Sequence, residues 1–224
     1  MSVLKCNNVD INYEVCGTGP AVVLLHGNST DLHFFDALTE KLQSSYTIYR
    51  MDSRCHGKSE KTEEISYELM MQDTAEFIQK LKLYHPALIG SSDGGITGLL
   101  LTIHYPQLLS CHIPCGANTS VAGLKRWFYW MFKLGYLKTR SPLFKMVVEQ
   151  PEITVQELAT IITPTLVMAG GRDIMTNEHT KALAEAIPGA QLCLMQGETH
   201  TSYLKKPERF LRWAEGFLHQ HTSI

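Results

Sequence analysis

No run of apolar residues in this 224-residue chain approaches the roughly 18 that a membrane-spanning helix requires. Neither sign of charge dominates, since 20 Lys and Arg residues stand against 22 Asp and Glu residues, so nothing favours nucleic acid or an anionic membrane as a partner. The first ten residues lack the apolar segment of a signal peptide. These absences predict a cytoplasmic protein that binds neither nucleic acid nor membrane.

The six cysteines do not form a pattern typical of a metal site. No C-x-x-C pair and no zinc-type Cys/His spacing occurs. Cys111, His112 and Cys115 stand close together, but they occupy an apolar segment with strand character, where reduced core thiols are the simpler interpretation. We therefore predict no metal and no cofactor.

Apolar runs alternate with helical periodicity along most of the chain. The continuous run at 21–25 is typical of a strand buried on both faces, and amphipathic helices separate the later strands. Those strands are expected at 46–52, 86–89, 108–115, 164–170 and 190–195. An Asn7-Asn8 hairpin is expected to add antiparallel strands at one edge. The pattern predicts one α/β domain over residues 1–224, with a mainly parallel central sheet covered by helices on both faces.

The alternation is interrupted at about 118–158. Trp127, Trp130 and Met131 recur there at helical spacing with Phe128 alongside, on a helix that is apolar nearly all round. An extra helix packed on the core would explain this pattern. Its place between two strands favours a flap over the strand ends, where ligands lie in open α/β sheets. We predict a short helical cap whose four named side chains line a substrate pocket.

The segment P-A-L-I-G-S-S-D-G-G-I-T at 86–97 carries the pattern G-x-S-x-G between a strand and a helix. Glycine two positions on either side of Ser92 allows a sharp turn that exposes the hydroxyl at the top of a sheet. Ser91 does not fit this frame. A glycine-rich turn without chemistry would carry the same letters, so the assignment depends on partner residues further along the chain.

A serine hydroxyl needs a base within hydrogen-bond reach and an acid that orients the base. With a nucleophile of this kind the partners follow in the order Ser, Asp or Glu, His, each on a loop after a strand. Asp173 and His200 meet this requirement, so we predict a catalytic triad of Ser92, Asp173 and His200. Glu198 is the alternative acid, although it has no strand of its own.

Five other histidines are weaker candidates for the base because of where they stand. They fall within or at the ends of predicted helices, or precede glycines in loops: His26, His56, His104, His179 and His219.

Two backbone N–H groups should face the developing oxyanion. Position predicts those of Asp93, directly after the nucleophile, and Asn28, in the loop after the strand at 21–25.

Five motifs stand in order along nearly the whole chain: H-G-N, D-S-R-C-H-G-K-S, the serine turn, G-R-D and G-E-T-H-T. In this order they resemble the α/β-hydrolase superfamily. The segment S-D-G-G-I-T-G-L-L-L-T-I-H-Y-P followed by G-A-N is most similar to the valacyclovir hydrolase (biphenyl hydrolase-like) group. That resemblance implies that Asp93 holds the α-amino group of a substrate. A carboxylate that only favours the start of its helix is the alternative.

Two departures from the family pattern stand out. The cap is shorter than is usual in that group, and Cys55 and His56 interrupt the usual glycine of the 52–59 loop. The motifs and the resemblance together predict a cofactor-independent serine hydrolase, carboxylesterase-like and of the EC 3.1 class. It would cleave small-molecule carboxylic esters or thioesters through an acyl-enzyme, with α-amino-acid esters as a possible preference. A C–C bond hydrolase or lyase with the same triad, and a receptor without turnover, stay open, as does the choice between monomer and homo-oligomer.

Overall fold

The computed structural model describes residues 2–222, and its strands form one sheet in the order β1-β2-β4-β3-β5-β6-β7-β8. β2 runs antiparallel to both neighbours, and the other pairings are parallel. The strands are β1 Ser2–Cys6, β2 Val9–Gly17, β3 Ala21–Leu25, β4 Thr47–Met51, β5 Ala87–Ser91, β6 Cys111–Cys115, β7 Leu166–Arg172 and β8 Gln191–Thr199. Asn7 and Asn8, both at positive φ, join β1 to β2 as predicted.

Helices connect the strands and cover the sheet. They are α1 Asp36–Leu42, α2 Tyr67–Lys80, α3 Asp93–His104, α4 Arg126–Thr139, α5 Pro142–Glu149, α6 Val155–Leu158, α7 Asn177–Ala186 and α8 Pro207–Thr222, with 3₁₀ turns at Leu32–Phe35 and Val121–Gly123. Three of them, α4 to α6, lie between β6 and β7, where the strand pattern of the sequence is interrupted. No helix within residues 2–222 is long and apolar enough to span a bilayer.

Side-chain alternation along β3 shows how both faces of the sheet are buried. Val22 and Leu24 belong to a core that includes side chains of α1 and α8, whereas Val23 and Leu25 belong to a core that includes α2, α3 and α7. A strand buried on both faces has no polar side, which explains its continuous apolar sequence. The predicted fold class, a mainly parallel sheet between two helical layers, is confirmed.

Several boundaries differ from those expected. β6 starts at Cys111 rather than 108, and β8 continues beyond Met195 to Thr199. The pairing of β7 with β8 shifts register between Gly170 and Arg172, which lets both strands extend past their apolar runs. Because β3, β5, β6, β7 and β8 are parallel, their carboxyl ends and the loops that follow lie at one edge of the sheet.

Candidate active site

Ser92 occupies the turn between β5 and α3 with φ 52° and ψ −113°. A non-glycine residue in such a conformation is strained, and strain of this kind persists only where the surrounding structure holds it. The backbone N–H of Ser92 donates a 2.8 Å hydrogen bond to the carbonyl of Cys115, the last residue of β6. The neighbouring strand therefore helps to fix the turn that carries the hydroxyl.

Glycine is required on both sides of this turn because the backbone packs too closely for a side chain. A Cβ at Gly94 would lie 2.1 Å from the carbonyl oxygen of Leu25, and one at Gly90 would lie 2.3 Å from that of Gly94. Both obstacles are main-chain atoms, which cannot turn aside. The two glycines therefore let α3 start directly against β3 and β5.

Asp173 and His200 form a close pair on the loops after β7 and β8. His200 Nδ1 lies 2.6 Å from Asp173 Oδ1, and the backbone N–H groups of Met175 and Gly170 also donate to this carboxylate, at 3.1 and 3.3 Å. Burial acts to raise the pKa of Asp173, but these hydrogen bonds and His200 outweigh it and hold the pKa below its ordinary value. With Nδ1 donating to the carboxylate, Nε2 is the nitrogen of His200 that can accept a proton.

The residue after β6 lets this pair approach the serine turn. Gly116 has φ 63°, and a Cβ there would lie 2.7 Å from His200 Nδ1 and 3.3 Å from Asp173 Oδ2. Its neighbour Cys115 accepts the hydrogen bond from the Ser92 N–H. Within residues 2–222 the Ser92 hydroxyl makes no hydrogen bond to His200. Contacts between nucleophile and base are often long before substrate binds.

The two residues predicted to supply oxyanion N–H groups lie close to the serine in the fold. Asp93 is the first residue of α3, where N–H groups have no partner within the helix and the helix dipole favours negative charge. Asn28 lies in the loop after β3, and Ser92, Asp93 and Asn28 line one cavity. The role of these two N–H groups in holding an oxyanion stays a prediction.

The carboxylate of Asp93 is buried and hydrogen-bonded by side chains. Tyr67 Oη donates to Oδ1 at 3.0 Å, and Asn28 Nδ2 donates to Oδ2 at 3.0 Å. Burial raises the pKa of Asp93, and these two hydrogen bonds oppose the rise. Sequence reasoning missed Tyr67. The only local signal was Ser66, which caps α2 just before it.

The cavity at Ser92 has a volume of about 20 Å³. Its lining consists of Asn28, Tyr67, Ser92, Asp93, Asn118, Leu124, Phe132, Val147, Ile174 and Met175. The four cap residues predicted to line the pocket are absent from this set. Trp127, Trp130 and Met131 are 63%, 51% and 46% exposed, and Phe128 is half-buried against Trp127. Helix α4 presents Phe132 to the cavity, whereas Trp127, Trp130 and Met131, whose spacing is typical of a core-facing side, point toward solvent.

Two of the rival histidines, His26 and His179, have structural partners. His26 accepts a hydrogen bond from the N–H of Ser53 at 3.1 Å, and His179 accepts one from the N–H of Thr119 at 3.0 Å. Burial, aided by the neighbouring His56, lowers the pKa of His26 to about 4. These rings hold loops together, and neither is paired with a carboxylate as His200 is.

Glu198 and the 52–59 loop are also explained by their contacts. Glu198 pairs with Arg209 and accepts a 2.5 Å hydrogen bond from Ser202, so its carboxylate is engaged away from His200.

In the 52–59 loop, Cys55 adopts φ 64°, the left-handed conformation that glycine favours. The loop therefore keeps a turn there despite the changed residue. Within residues 2–222 no group of three His, Cys, Asp or Glu side chains is arranged to hold a metal ion.

Comparisons with known proteins agree with this architecture. The model of the alpha/beta hydrolase fold family matches residues 20–133, just over half of the chain. The mouse (Mus musculus) protein named serine hydrolase BPHL is 26% identical, over 95% of this chain and 84% of its own length. Two solved esterases share the fold. One, EaEST from Exiguobacterium antarcticum, has a TM-score of 0.85 at 21% identity and covers 96% of this chain and 98% of its own.

The other solved esterase, a thermophilic enzyme from Thermogutta terrifontis, has a TM-score of 0.81 at 20% identity over 99% of both chains. At these identities the two structures establish the fold alone. The family assignment follows from the family match, together with the strand order and the serine turn, and it confirms the resemblance seen in the motifs. The chain belongs to the α/β-hydrolase family.

Proposed function

We propose that the protein is a serine hydrolase that cleaves carboxylic esters or thioesters of small molecules through an acyl-enzyme. The observation that carries this proposal is the 2.6 Å pair between His200 and Asp173 at the same sheet edge as the strained Ser92. Acyl transfer requires a nucleophilic side chain, a base that takes its proton, and a buried acid that orients the base. No cofactor takes part in this chemistry.

In the proposed reaction Ser92 Oγ attacks the substrate carbonyl carbon as His200 Nε2 takes its proton. Asp173 stabilises the imidazolium that forms, and the N–H groups of Asn28 and Asp93 hold the oxyanion. His200 then returns the proton to the departing alcohol or thiol, leaving Ser92 acylated. A water molecule, deprotonated by the same imidazole, releases the acid and restores the hydroxyl.

A fluorophosphonate probe, which reacts with activated serines, tests the nucleophile. We expect labelling of the wild type and of Ser91→Ala, but none of Ser92→Ala, because only Ser92 stands in the turn. Ser91 is a suitable control since it is the adjacent residue and is buried in β5. Equal labelling of Ser92→Ala and wild type would refute the assignment.

A preference for α-amino-acid esters is a finer part of the proposal and rests on Asp93. Its buried carboxylate lines the same cavity as Ser92 and already receives hydrogen bonds from Tyr67 and Asn28. A carboxylate has about four lone-pair sites, so acceptor capacity is left for an ammonium group. The alternative, a carboxylate that only favours the start of α3, does not require these side-chain partners.

Paired substrates separate the two roles of Asp93. For the wild type we expect an aminoacyl ester to exceed its des-amino analogue in kcat/KM, and Asp93→Asn to reduce that ratio by about 10-fold to 100-fold, the range for a hydrogen bond to a charged group. Because both substrates are measured with the same variant, a loss of folded protein lowers both kcat/KM values equally and leaves their ratio unchanged. A ratio unchanged by the substitution would exclude the amine-binding role.

The C–C bond hydrolase alternative has less support from the cap. Polyanionic substrates would call for a basic cluster at its start, where Lys125 and Arg126 stand. The ammonium of Lys125 instead donates to the carbonyl of Asp173 at 2.5 Å, and Arg126 is exposed. The ester proposal needs no such cluster.

A further inference from the structure

Helix α4 carries an apolar stripe that nothing within residues 2–222 covers. The stripe consists of side chains that are 46% to 63% exposed: Trp127, Trp130, Met131, Leu134 and Leu137. Their spacing places them along one face of the helix for its whole length. Single exposed apolar residues are ordinary, but a contiguous exposed patch of this kind marks an interaction surface.

The charge around this stripe is of one sign. Residues 118–148 contain six Lys and Arg and no Asp or Glu, whereas the rest of the chain has fourteen Lys and Arg against twenty-two Asp and Glu. One of the six, Lys145 on α5, pairs with Glu149, and the others lie on α4 or at its ends. Arg126, Lys133 and Arg140 follow one another at intervals of seven residues, nearly two turns, so they form a row along one flank of the stripe. The balanced total charge, from which the sequence predicts no membrane partner, conceals this local asymmetry.

The opposite face of the same helix belongs to the candidate active site. Phe132 packs with Leu124 and Val147, and all three line the cavity at Ser92. The exposed stripe and the cavity are therefore separated by the thickness of one helix. A surface that contacts the stripe lies directly above the serine.

We propose that α4 docks on an anionic lipid surface, with its apolar stripe in the interface and its basic row against the headgroups. Exposed Trp and Leu on one face with Lys and Arg beside them are the composition of helices that lie in the plane of a membrane interface. A second copy of the chain fits less well. A two-fold contact would bring the same positive patch against itself, and like charges would repel. An anionic surface neutralises the patch.

Flotation with vesicles of phosphatidylcholine, with and without phosphatidylserine, tests the docking surface. We expect wild type to bind only the vesicles that contain phosphatidylserine, and more weakly as salt is raised. Arg126→Gln with Lys133→Gln should weaken binding about fivefold for each charge removed. Leu134→Gln with Leu137→Gln should weaken it at least tenfold because the inserted apolar area is lost.

Matched controls keep this result separate from catalysis and from folding. Lys61→Gln with Lys181→Gln removes two exposed charges elsewhere, and Ile162→Gln with Leu192→Gln removes two exposed aliphatic side chains; both should bind as wild type does. Ser92→Ala should also bind normally, so vesicle binding does not depend on the proposed reaction. Turnover of a short water-soluble ester should be unchanged in the cap variants.

Three outcomes overturn the proposal. The first is failure of wild type to bind vesicles containing phosphatidylserine at low salt, and the second is binding of the cap variants as strong as that of wild type. The third is concentration-dependent self-association in sedimentation velocity that Leu134→Gln with Leu137→Gln abolishes, combined with no vesicle binding. That result would assign the stripe to a second copy of the chain.

Discussion

Asp173 is the residue whose surroundings most clearly indicate a chemical role. Its carboxylate is buried, accepts hydrogen bonds from two backbone N–H groups, and has a lowered pKa despite the burial that acts to raise it. A carboxylate with a lowered pKa stays ionised at neutral pH, and it becomes protonated only as the pH falls below the ordinary value. It is therefore charged under the conditions in which an imidazolium at His200 needs stabilisation.

Asp173→Asn should lower kcat by about 10⁴-fold, because an amide in this place favours the wrong tautomer of the imidazole. Steady-state hydrolysis of a p-nitrophenyl ester measures the loss. Glu198→Gln is the matched control, since Glu198 is the other acid near His200 in sequence but pairs with Arg209 and Ser202. A larger loss in the control than in Asp173→Asn would transfer the role of the acid to Glu198.

At the residue scale, the sequence indicates as candidates those groups whose chemistry is tied to a local pattern. Ser92 is marked by its flanking glycines, and Asp173 and His200 by their places after strands. Tyr67 carries no such mark, because its hydroxyl meets Asp93 only when α2 packs beside α3. A contact of this kind depends on tertiary packing and has no signature in the neighbouring residues.

At the element scale, α2 shows how a local signal supports the site. The side chain of Ser66 accepts a 3.1 Å hydrogen bond from the N–H of Leu69, so Ser66 is the N-cap of this helix. Tyr67 is the next residue in the chain. The N-cap at Ser66 therefore also fixes the start of the helix from which the Tyr67 hydroxyl reaches Asp93.

Ser66→Ala should reduce the free energy of unfolding by about 1 kcal/mol, because an N–H at the helix start loses its partner. Urea denaturation followed by circular dichroism gives the value. Ser66→Asp keeps an acceptor at the same position and should stay within a few tenths of a kcal/mol of wild type. Equal losses in both variants would show that the hydroxyl matters for a reason other than capping.

Helix α4 shows where reasoning from an element's sequence fails. Its periodicity predicts a helix, and the helix is present, but periodicity identifies a stripe without showing which way it faces. Apolar residues occur on nearly every side of α4, and the cavity accommodates only Phe132 among them. The more regular apolar stripe faces solvent, and nothing in the sequence of this segment alone shows which side of the helix faces the cavity.

At the scale of the whole molecule, the order of strands and helices is readable because each buried strand has its own apolar run. Which side chains of the cap meet the sheet edge is not readable, since this depends on contacts between segments far apart in sequence. The burial of titratable groups is a property of the same scale. His112 on β6 is fully buried, with neither ring nitrogen hydrogen-bonded within residues 2–222, and burial lowers its pKa to about 3.

This buried histidine makes stability depend on pH. The unfolded chain protonates His112 below about 6.5, whereas the folded chain does not until about 3, so the unfolded state is favoured increasingly as the pH falls through that window. Between pH 7 and pH 5 the loss from this group is about 2 kcal/mol. His112→Leu, similar in volume, should remove that part of the decline in urea denaturation, and an identical decline in both proteins would contradict the assignment.

A cavity of about 20 Å³ at Ser92 holds about one water molecule. Any ester is several times larger, so we expect a substrate to enter only when side chains that line the cavity, such as Phe132 on α4, move apart. Admission then becomes a step with its own rate, ahead of acylation and set by the packing between the cap and the sheet edge. A longer acyl chain on the substrate would then change the rate of entry more than the rate of the bond-breaking step.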